Sequence, residues 1–211
     1  MAVMKLIGSE TSPYVRKVRV YLGETGLDYE FAVVDAWKPD PSLLAMAPIG
    51  KVPVLVREQG EPLYESNLII DYLESLLPAE RRLVPPEGEP RWQMLRLQAL
   101  ASGMIDATAT RTVELRKPEA TQSAVVIARE EGRIERLLAA FEKLAQPGRC
   151  VAGGERMSTA DLVLGVALQY LDFRFTPDWR KSAPTLAAWF APMARRPAYA
   201  RTLPPGFVPP A

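Results

Sequence analysis

A serine followed by a proline, Ser12-Pro13, is the first place in the chain where a side chain could do chemistry. Serine is a favoured N-cap and proline a favoured first helical residue, so the pair predicts the start of a helix. The N-terminal end of a helix attracts anions, because its free N–H groups and its dipole point there. The Ser12 hydroxyl therefore fits two interpretations, a helix cap or a hydrogen-bond donor to a bound thiolate. Spacing alone favours the cap.

The sequence contains no histidine, which excludes Ser-His-Asp and Cys-His catalysis and histidine-based metal sites. Ser12 thus has no histidine base to make it a nucleophile, but its hydroxyl can still stabilise a thiolate. A thiol of pKa about 8.5 is mostly protonated at pH 7, and lowering its pKa by two units requires about 2.7 kcal/mol. One charge-assisted hydrogen bond together with a helix terminus can supply this stabilisation.

Two further segments could hold a peptide-like ligand. In Lys51-Val52-Pro53 the proline begins a strand, which by itself favours an edge strand with a trans peptide bond. A cis bond would instead turn the Val52 backbone outward, towards an extended peptide. Glu65 and Ser66 precede a predicted helix, and Ser66 alone is most simply its N-cap. Together they could bind an amino-acid head group, with Glu65 on the ammonium and Ser66 on the carboxylate.

These segments lie within a mixed pattern of strands and helices. Periodicity and turn signals predict strands over residues 3–7, 29–34, 51–56 and 62–64, and helices over 13–26 and 67–77. This order, βαβ followed by a hairpin and a helix, is typical of an α/β thioredoxin-like domain. Prolines then cluster over residues 78–89, which marks a linker.

After the linker every apolar pattern is helical. One face of a long helix ending near Pro118 is predicted to carry Trp92, Leu95, Ala99, Ser102 and Ile105. An amphipathic helix follows over 127–144. Residues 162–171 are apolar nearly all round, as in a central buried helix. A last helix covers Pro184–Ala194. The sequence thus predicts a thioredoxin-like domain over 1–77 and an all-α domain over 90–211 that ends in an extended tail.

Composition narrows the class of protein. The 211 residues include 26 basic and 25 acidic side chains, for a net charge of +1. This balance provides no overall reason to bind nucleic acid or an anionic membrane. No stretch approaches the roughly 18 apolar residues of a membrane span, and the first residues lack a signal-peptide core. Cys150, the single cysteine, fits a reducing compartment and a buried, unreactive role. We expect a soluble, cytoplasmic protein.

Taken together, the chain resembles the glutathione transferase family. The resemblance rests on four segments in register with the linker: SPYVRKVR at 12–19, APIGKVPVL at 47–55, YES at 64–66 and STAD at 158–161. The second half is also similar to a bacterial branch, through GMIDA at 103–107, LRKP at 115–118, YLDFR at 170–174 and RRPAYARTLPP at 195–205. The resemblance covers essentially the whole chain and implies a thioredoxin-like domain followed by an all-α domain. STAD itself is interpreted as a helix-capping box.

The resemblance implies roles for the candidate residues. Ser12 matches the thiol-activating serine of serine-type members, and the adjacent hydroxyl of Thr11 is the alternative. Val52 matches the residue whose backbone pairs with the cysteinyl part of glutathione, and Pro53 matches the family's cis-proline. The third match is the γ-glutamyl clamp, which is formed by Glu65 and Ser66.

Other implied roles are less direct. Lys38 or Lys51 could meet the glycyl carboxylate. Asp106 is expected to face inward on the long helix, where it would bond a neighbouring helix or reach the glutathione ammonium, including across a dimer interface. In this family the electrophile binds between the domains, and candidates for that lining are Tyr14, Met104, Arg111 and Phe173.

The activity implied by the resemblance is that of a homodimeric, serine-type glutathione transferase with a detoxification role. It would conjugate the glutathione thiolate to a hydrophobic electrophile without a metal. Serine stands where redox members carry cysteine, so disulfide chemistry at this site is disfavoured. Two alternatives remain: a non-catalytic glutathione-binding carrier or regulatory protein, and a glutathione-dependent reductase or isomerase.

Overall fold

The structure, a computed structural model, describes residues 4–35, 37–38, 41–175 and 177–210. The chain divides into two compact units. The first comprises Met1–Arg82 and Pro197–Phe207, and the second comprises Leu83–Arg196 and Val208–Ala211. The sequence predicts that all of 90–211 belongs to the helical domain, whereas in the structure Pro197–Phe207 groups with the first unit.

A four-stranded sheet forms the centre of the first unit. Its strands are β1 (Met4–Gly8), β2 (Tyr29–Val33), β3 (Val54–Val56) and β4 (Leu63–Tyr64), in the order β2-β1-β3-β4. Strand β1 pairs parallel with β2 and antiparallel with β3, which pairs antiparallel with β4. The predicted thioredoxin-like sheet is confirmed, although Val3 of the first predicted strand lies outside the described residues. Strand β3 starts later than predicted, at the residue after Pro53, which has no N–H to donate to the ladder.

The described residues form eight α-helices. In chain order they are α1 (Pro13–Thr25), α2 (Pro41–Met46), α3 (Ser66–Ser75), α4 (Gly88–Leu115), α5 (Ala124–Leu144), α6 (Thr159–Arg174), α7 (Pro184–Ala194) and α8 (Pro197–Ala200). The sequence analysis does not predict α2 and α8, because helices of one or two turns leave too few residues for a detectable period. None of the described helices combines the length and the apolar character that a membrane crossing requires.

Helix α1 is buried on nearly all sides. Val15, Val18 and Leu22, which recur at helical spacing, are fully buried, and the helix contacts both α3 and α8. The helix ends at Gly26, which has a left-handed conformation. At the other end, a Cβ added to Gly8 would lie 2.5 Å from Cγ2 of Val15. The absence of a side chain at the end of β1 therefore lets the start of α1 come close to the sheet.

The described part of the second unit is helical, as predicted. Every residue from 159 to 171 in α6 is buried, which confirms α6 as its central helix. The capping box at its start is also confirmed, with the Ser158 N–H donating to Asp161 Oδ2 at 2.8 Å.

The predicted face of α4 is only partly buried, since Ile105 is buried but Leu95 and Ser102 are half-buried. Trp92 and Ala99 are exposed, because α5 and α6 pack against a different side of the helix. Apolar residues occur on several sides of α4, so the pattern alone could not select the correct stripe. The residues buried there include Met94, Leu97, Ala101, Met104 and Ile105.

Candidate functional site

The strand ends place the candidate residues of the first unit at one edge of the sheet. Ile7 pairs with Val54, and Val54 pairs with Tyr64, both in antiparallel ladders. The end of β1, the start of β3 and the end of β4 therefore meet at the same edge. The parallel strand β2 ends there too, since Val33 pairs with Gly8. Ser12 follows the end of β1, Val52-Pro53 precede the start of β3, and Glu65 follows the end of β4, so all of them lie near this edge.

Ser12 is the N-cap of α1, as predicted. Its Oγ accepts a hydrogen bond from the Val15 N–H at 3.3 Å, and its backbone is extended. Among the described residues no acceptor takes the hydroxyl hydrogen of Ser12, so that hydrogen is available to a ligand. The hydroxyl of Thr11, in contrast, lies 3.2 Å from the Ser9 Oγ and is engaged with it.

The Val52–Pro53 peptide bond is cis. The trans interpretation, which the residues alone favour, is wrong, and the expectation from the family resemblance agrees with the structure. Val52 lies just outside β3, and no backbone hydrogen bond to its N–H or C=O occurs within the described part of the chain. Both groups can therefore pair with an extended ligand.

Glu65 has a backbone conformation that is rare for a residue with a side chain, with φ 74° and ψ 135°. Such a conformation costs roughly 1–3 kcal/mol and persists where surrounding contacts impose it. Within the described chain, the side-chain hydrogen bonds of Glu65 all involve one carboxylate oxygen. Oε1 accepts from the Asn67 N–H at 3.0 Å, the Asn67 Nδ2 at 3.2 Å and the Ser66 Oγ at 3.0 Å. Oε2 has no hydrogen-bond partner among the described residues, so it can accept from a ligand.

The charge state of Glu65 is set by its neighbours. Desolvation favours the neutral acid, but the Asn67 N–H, the charge of Lys17 and the hydrogen bonds from the Ser66 and Asn67 side chains outweigh it, so the pKa of Glu65 is lowered. The carboxylate is therefore ionised at neutral pH and suited to an ammonium group.

Two further residues, Lys17 and Asn67, adjoin Glu65 without any signal in the sequence. Lys17 is buried, with 1% of its surface exposed, and its Nζ donates to Asn67 Oδ1 at 2.8 Å. Asn67 in turn contacts Glu65. No local pattern could have found this pair, because a lysine in an amphipathic helix is usually exposed and its partner lies 50 residues away in the sequence.

The remaining candidates are less constrained. Lys38 is exposed, and its Nζ lies 3.8 Å from an Asp35 carboxylate oxygen. Lys51 is exposed beside Val52. Asp106 lies on α4 at an exposed position, so the expectation that it faces inward is wrong. In the described part of the chain, no group of three or more Cys, Asp or Glu residues could hold a metal ion.

Comparison with known proteins agrees with this arrangement. Residues 6–81 match the family model for the glutathione S-transferase N-terminal domain, and residues 124–191 match that for the C-terminal domain. The chain is 33% identical to the uncharacterised GST-like protein YibF of Escherichia coli (strain K12), over 96% of this chain and 99% of YibF.

Two solved structures are similar along nearly their whole length. A glutathione S-transferase from Methylobacillus flagellatus KT with GSH bound has a TM-score of 0.88 and 35% identity, and covers 95% of this chain and 99% of its own. One from Methylobacterium radiotolerans JCM 2831, in complex with glutathione sulfonate, also has a TM-score of 0.88, with 31% identity over 100% of this chain and 99% of its own. The chain thus belongs to the glutathione S-transferase family.

Proposed function

We propose that this protein is a serine-type glutathione transferase that conjugates glutathione to a hydrophobic electrophile. The observation that carries the proposal is the uncommitted hydroxyl hydrogen of Ser12 at the N-terminus of α1. It lies at the same sheet edge as the unpaired Val52 backbone and the open Oε2 of Glu65. The relatives solved with GSH and glutathione sulfonate support glutathione as the ligand of this edge.

Each part of glutathione has a matching group. The ammonium of the γ-glutamyl residue would bind Glu65 Oε2. Its carboxylate would meet the Ser66 backbone N–H at the start of α3, since the Ser66 hydroxyl is already engaged with Glu65. The cysteinyl part would pair with the Val52 backbone, and Lys51 or Lys38 would meet the glycyl carboxylate.

The reaction needs no protein nucleophile. The glutathione thiol loses its proton to solvent, and the thiolate is stabilised by a hydrogen bond from Ser12 and by the N-terminus of α1. The thiolate sulfur then forms a bond to the electrophilic carbon, and the electron pair moves onto the acceptor or the leaving group. Holding both reactants in one site supplies much of the rate.

The test is the pKa of glutathione bound to the protein, followed by ultraviolet thiolate absorbance against pH. Wild type should show a pKa about two units below that of free glutathione, and Ser12→Ala should raise it by about one to two units. Thr11→Ala is the matched control and should leave the pKa unchanged. An unchanged pKa in Ser12→Ala would remove the role of Ser12, and a rise in Thr11→Ala alone would transfer that role to Thr11.

Turnover across a panel of electrophiles separates conjugation from the alternatives. Retention on immobilised glutathione without any conjugation would indicate a carrier or regulatory protein. Glutathione-dependent turnover of a disulfide or peroxide would indicate a reductase. The detoxification role, the cytoplasmic location and the absence of a metal stay predictions. So does the homodimer, which a sedimentation mass near one chain would exclude.

A further inference from the structure

Lys17 is a buried cation whose position the proposed reaction does not explain. It lies in α1 with 1% of its surface exposed. Removing an ammonium group from water is costly unless it is paired and hydrogen-bonded. A methionine or leucine would fill the same space without this cost. The lysine charge must therefore be offset by what it contacts.

Its contact with Asn67 orients the amide of that side chain. The Lys17 Nζ donates to Asn67 Oδ1 at 2.8 Å, and Asn67 Nδ2 donates to Glu65 Oε1 at 3.2 Å. The reversed amide would bring an NH₂ group to the ammonium and a carbonyl oxygen to the carboxylate, and both contacts would be repulsive. Lys17 therefore selects the orientation in which Asn67 donates to Glu65.

The chain of contacts from Lys17 through Asn67 to Glu65 constrains only one of the two Glu65 carboxylate oxygens. Each hydrogen bond that its side chain makes within the described chain is to Oε1, and the charge of Lys17 favours the ionised carboxylate from behind. The result is an exposed Glu65 side chain with one oxygen held by the protein and the other without a hydrogen-bond partner among the described residues.

We propose that Lys17 is a positioning residue for the glutathione ammonium, which acts through Asn67 to hold Glu65 with Oε2 presented to the ligand. This inference rests on the proposed function. Because Lys17 is buried, it does not touch glutathione itself. Its effect should appear in the affinity for glutathione and not in the ionisation of the thiol, which depends on the start of α1.

The experiment is calorimetric titration of the full-length protein with glutathione. Lys17→Met, which keeps the length of the side chain without the charge, should weaken binding roughly tenfold. Lys17→Arg should restore part of the loss, and Asn67→Ala, at an exposed position, should give a loss similar to that of Lys17→Met. Lys143→Met, an exposed lysine on α5, is the matched control and should bind like wild type. The thiol pKa of bound glutathione should be unchanged in all four variants.

A second background distinguishes positioning from a general structural effect. In Glu65→Gln, the further change Lys17→Met should weaken binding by less than about twofold, because the charge that Lys17 supports is gone. An equal loss in both backgrounds, or no loss in either, would overturn the inference while leaving the proposed function intact. Failure of the wild type to bind glutathione would overturn both. If Lys17→Met does not fold, the comparison is made with Asn67→Ala, whose loss must likewise shrink in Glu65→Gln.

Discussion

At the scale of single residues, the surroundings of Glu65 and Cys150 shift their pKa values in opposite directions. Hydrogen bonds and a nearby cation lower the pKa of Glu65 against its desolvation, so it stays charged. Burial, together with the charge of Asp161 and a hydrogen bond to it, raises the pKa of the Cys150 thiol to about 11. The carboxylate is therefore ready to bind a cation, whereas the thiol is protonated and inert at neutral pH.

Cys150 should react slowly with thiol reagents. At pH 8 a thiol of pKa about 11 is about 0.1% ionised, against about a quarter for an ordinary thiol. Labelling of the native protein should therefore be about two orders of magnitude slower than labelling of the same chain in denaturant. Between pH 8 and pH 9 the native rate should rise about tenfold, but the denatured rate only about threefold. Equal labelling rates in the native and denatured states would contradict a raised pKa for Cys150.

At the scale of elements, the position of Ser12 depends on how closely α1 approaches the sheet. Gly8 ends β1, and its carbonyl accepts from the Val34 N–H at 3.0 Å. The start of α1 packs over it, with Val15 fully buried. The glycine therefore permits a close approach of helix to strand, and any side chain there would overlap Val15 unless that side chain or the helix that carries Ser12 shifts.

Gly8→Ala should destabilise the protein by roughly 1–3 kcal/mol, because the new methyl group would overlap the Val15 side chain in a packed core. The control is Gly103→Ala in α4, where an added Cβ lies 4.0 Å from Leu137 Cδ1 and should stabilise the helix by roughly 0.5–1 kcal/mol. Urea unfolding followed by circular dichroism measures both. Equal unfolding midpoints for the two variants would show that the close approach does not matter.

At the scale of the whole molecule, the first unit is closed by residues from the far end of the chain. The guanidinium of Arg16 is buried in α1 and donates to the Tyr199 carbonyl at 3.1 Å and to Thr202 Oγ1 at 3.3 Å. Burial, opposed by Tyr199 and aided by Arg19, lowers the pKa of Arg16 to about 10, so it remains charged at neutral pH. A buried charge of this kind stabilises a fold only while its acceptors are in place.

Thr202→Val should lower the free energy of unfolding by about 1–3 kcal/mol, because it removes, at nearly constant volume, a hydroxyl that accepts a hydrogen bond from the buried Arg16 Nε. Thr121→Val is the control, since that hydroxyl is exposed and donates to the nearby Pro118 carbonyl; its effect should stay within about 0.5 kcal/mol. The measurement is the urea midpoint at constant pH. Similar midpoints for the two variants would mean that the contact of Thr202 with Arg16 does not stabilise the packing against α1.

Most of the helices and strands can be predicted from the sequence, because their signals are local. Ser12-Pro13 and Gly26 mark the two ends of α1, Ser158 and Asp161 cap α6, and the predicted bounds of α7, Pro184–Ala194, agree with the structure. Each of these signals acts between residues within a few positions of one another. Through the family resemblance, the matched segments also indicate that Ser12, Val52 and Glu65 belong to one glutathione-binding site.

Which groups are buried, and which keep an atom available to a ligand, depends on how distant segments pack in the folded chain. Lys17 and Arg16 look like surface residues in any helical pattern, but their partners lie 50 and 186 residues away. The buried face of α4 depends on which helices pack against it. The open Oε2 of Glu65 depends on three donors that converge on Oε1. These features arise from contacts between distant segments, for which the neighbouring sequence carries no signal.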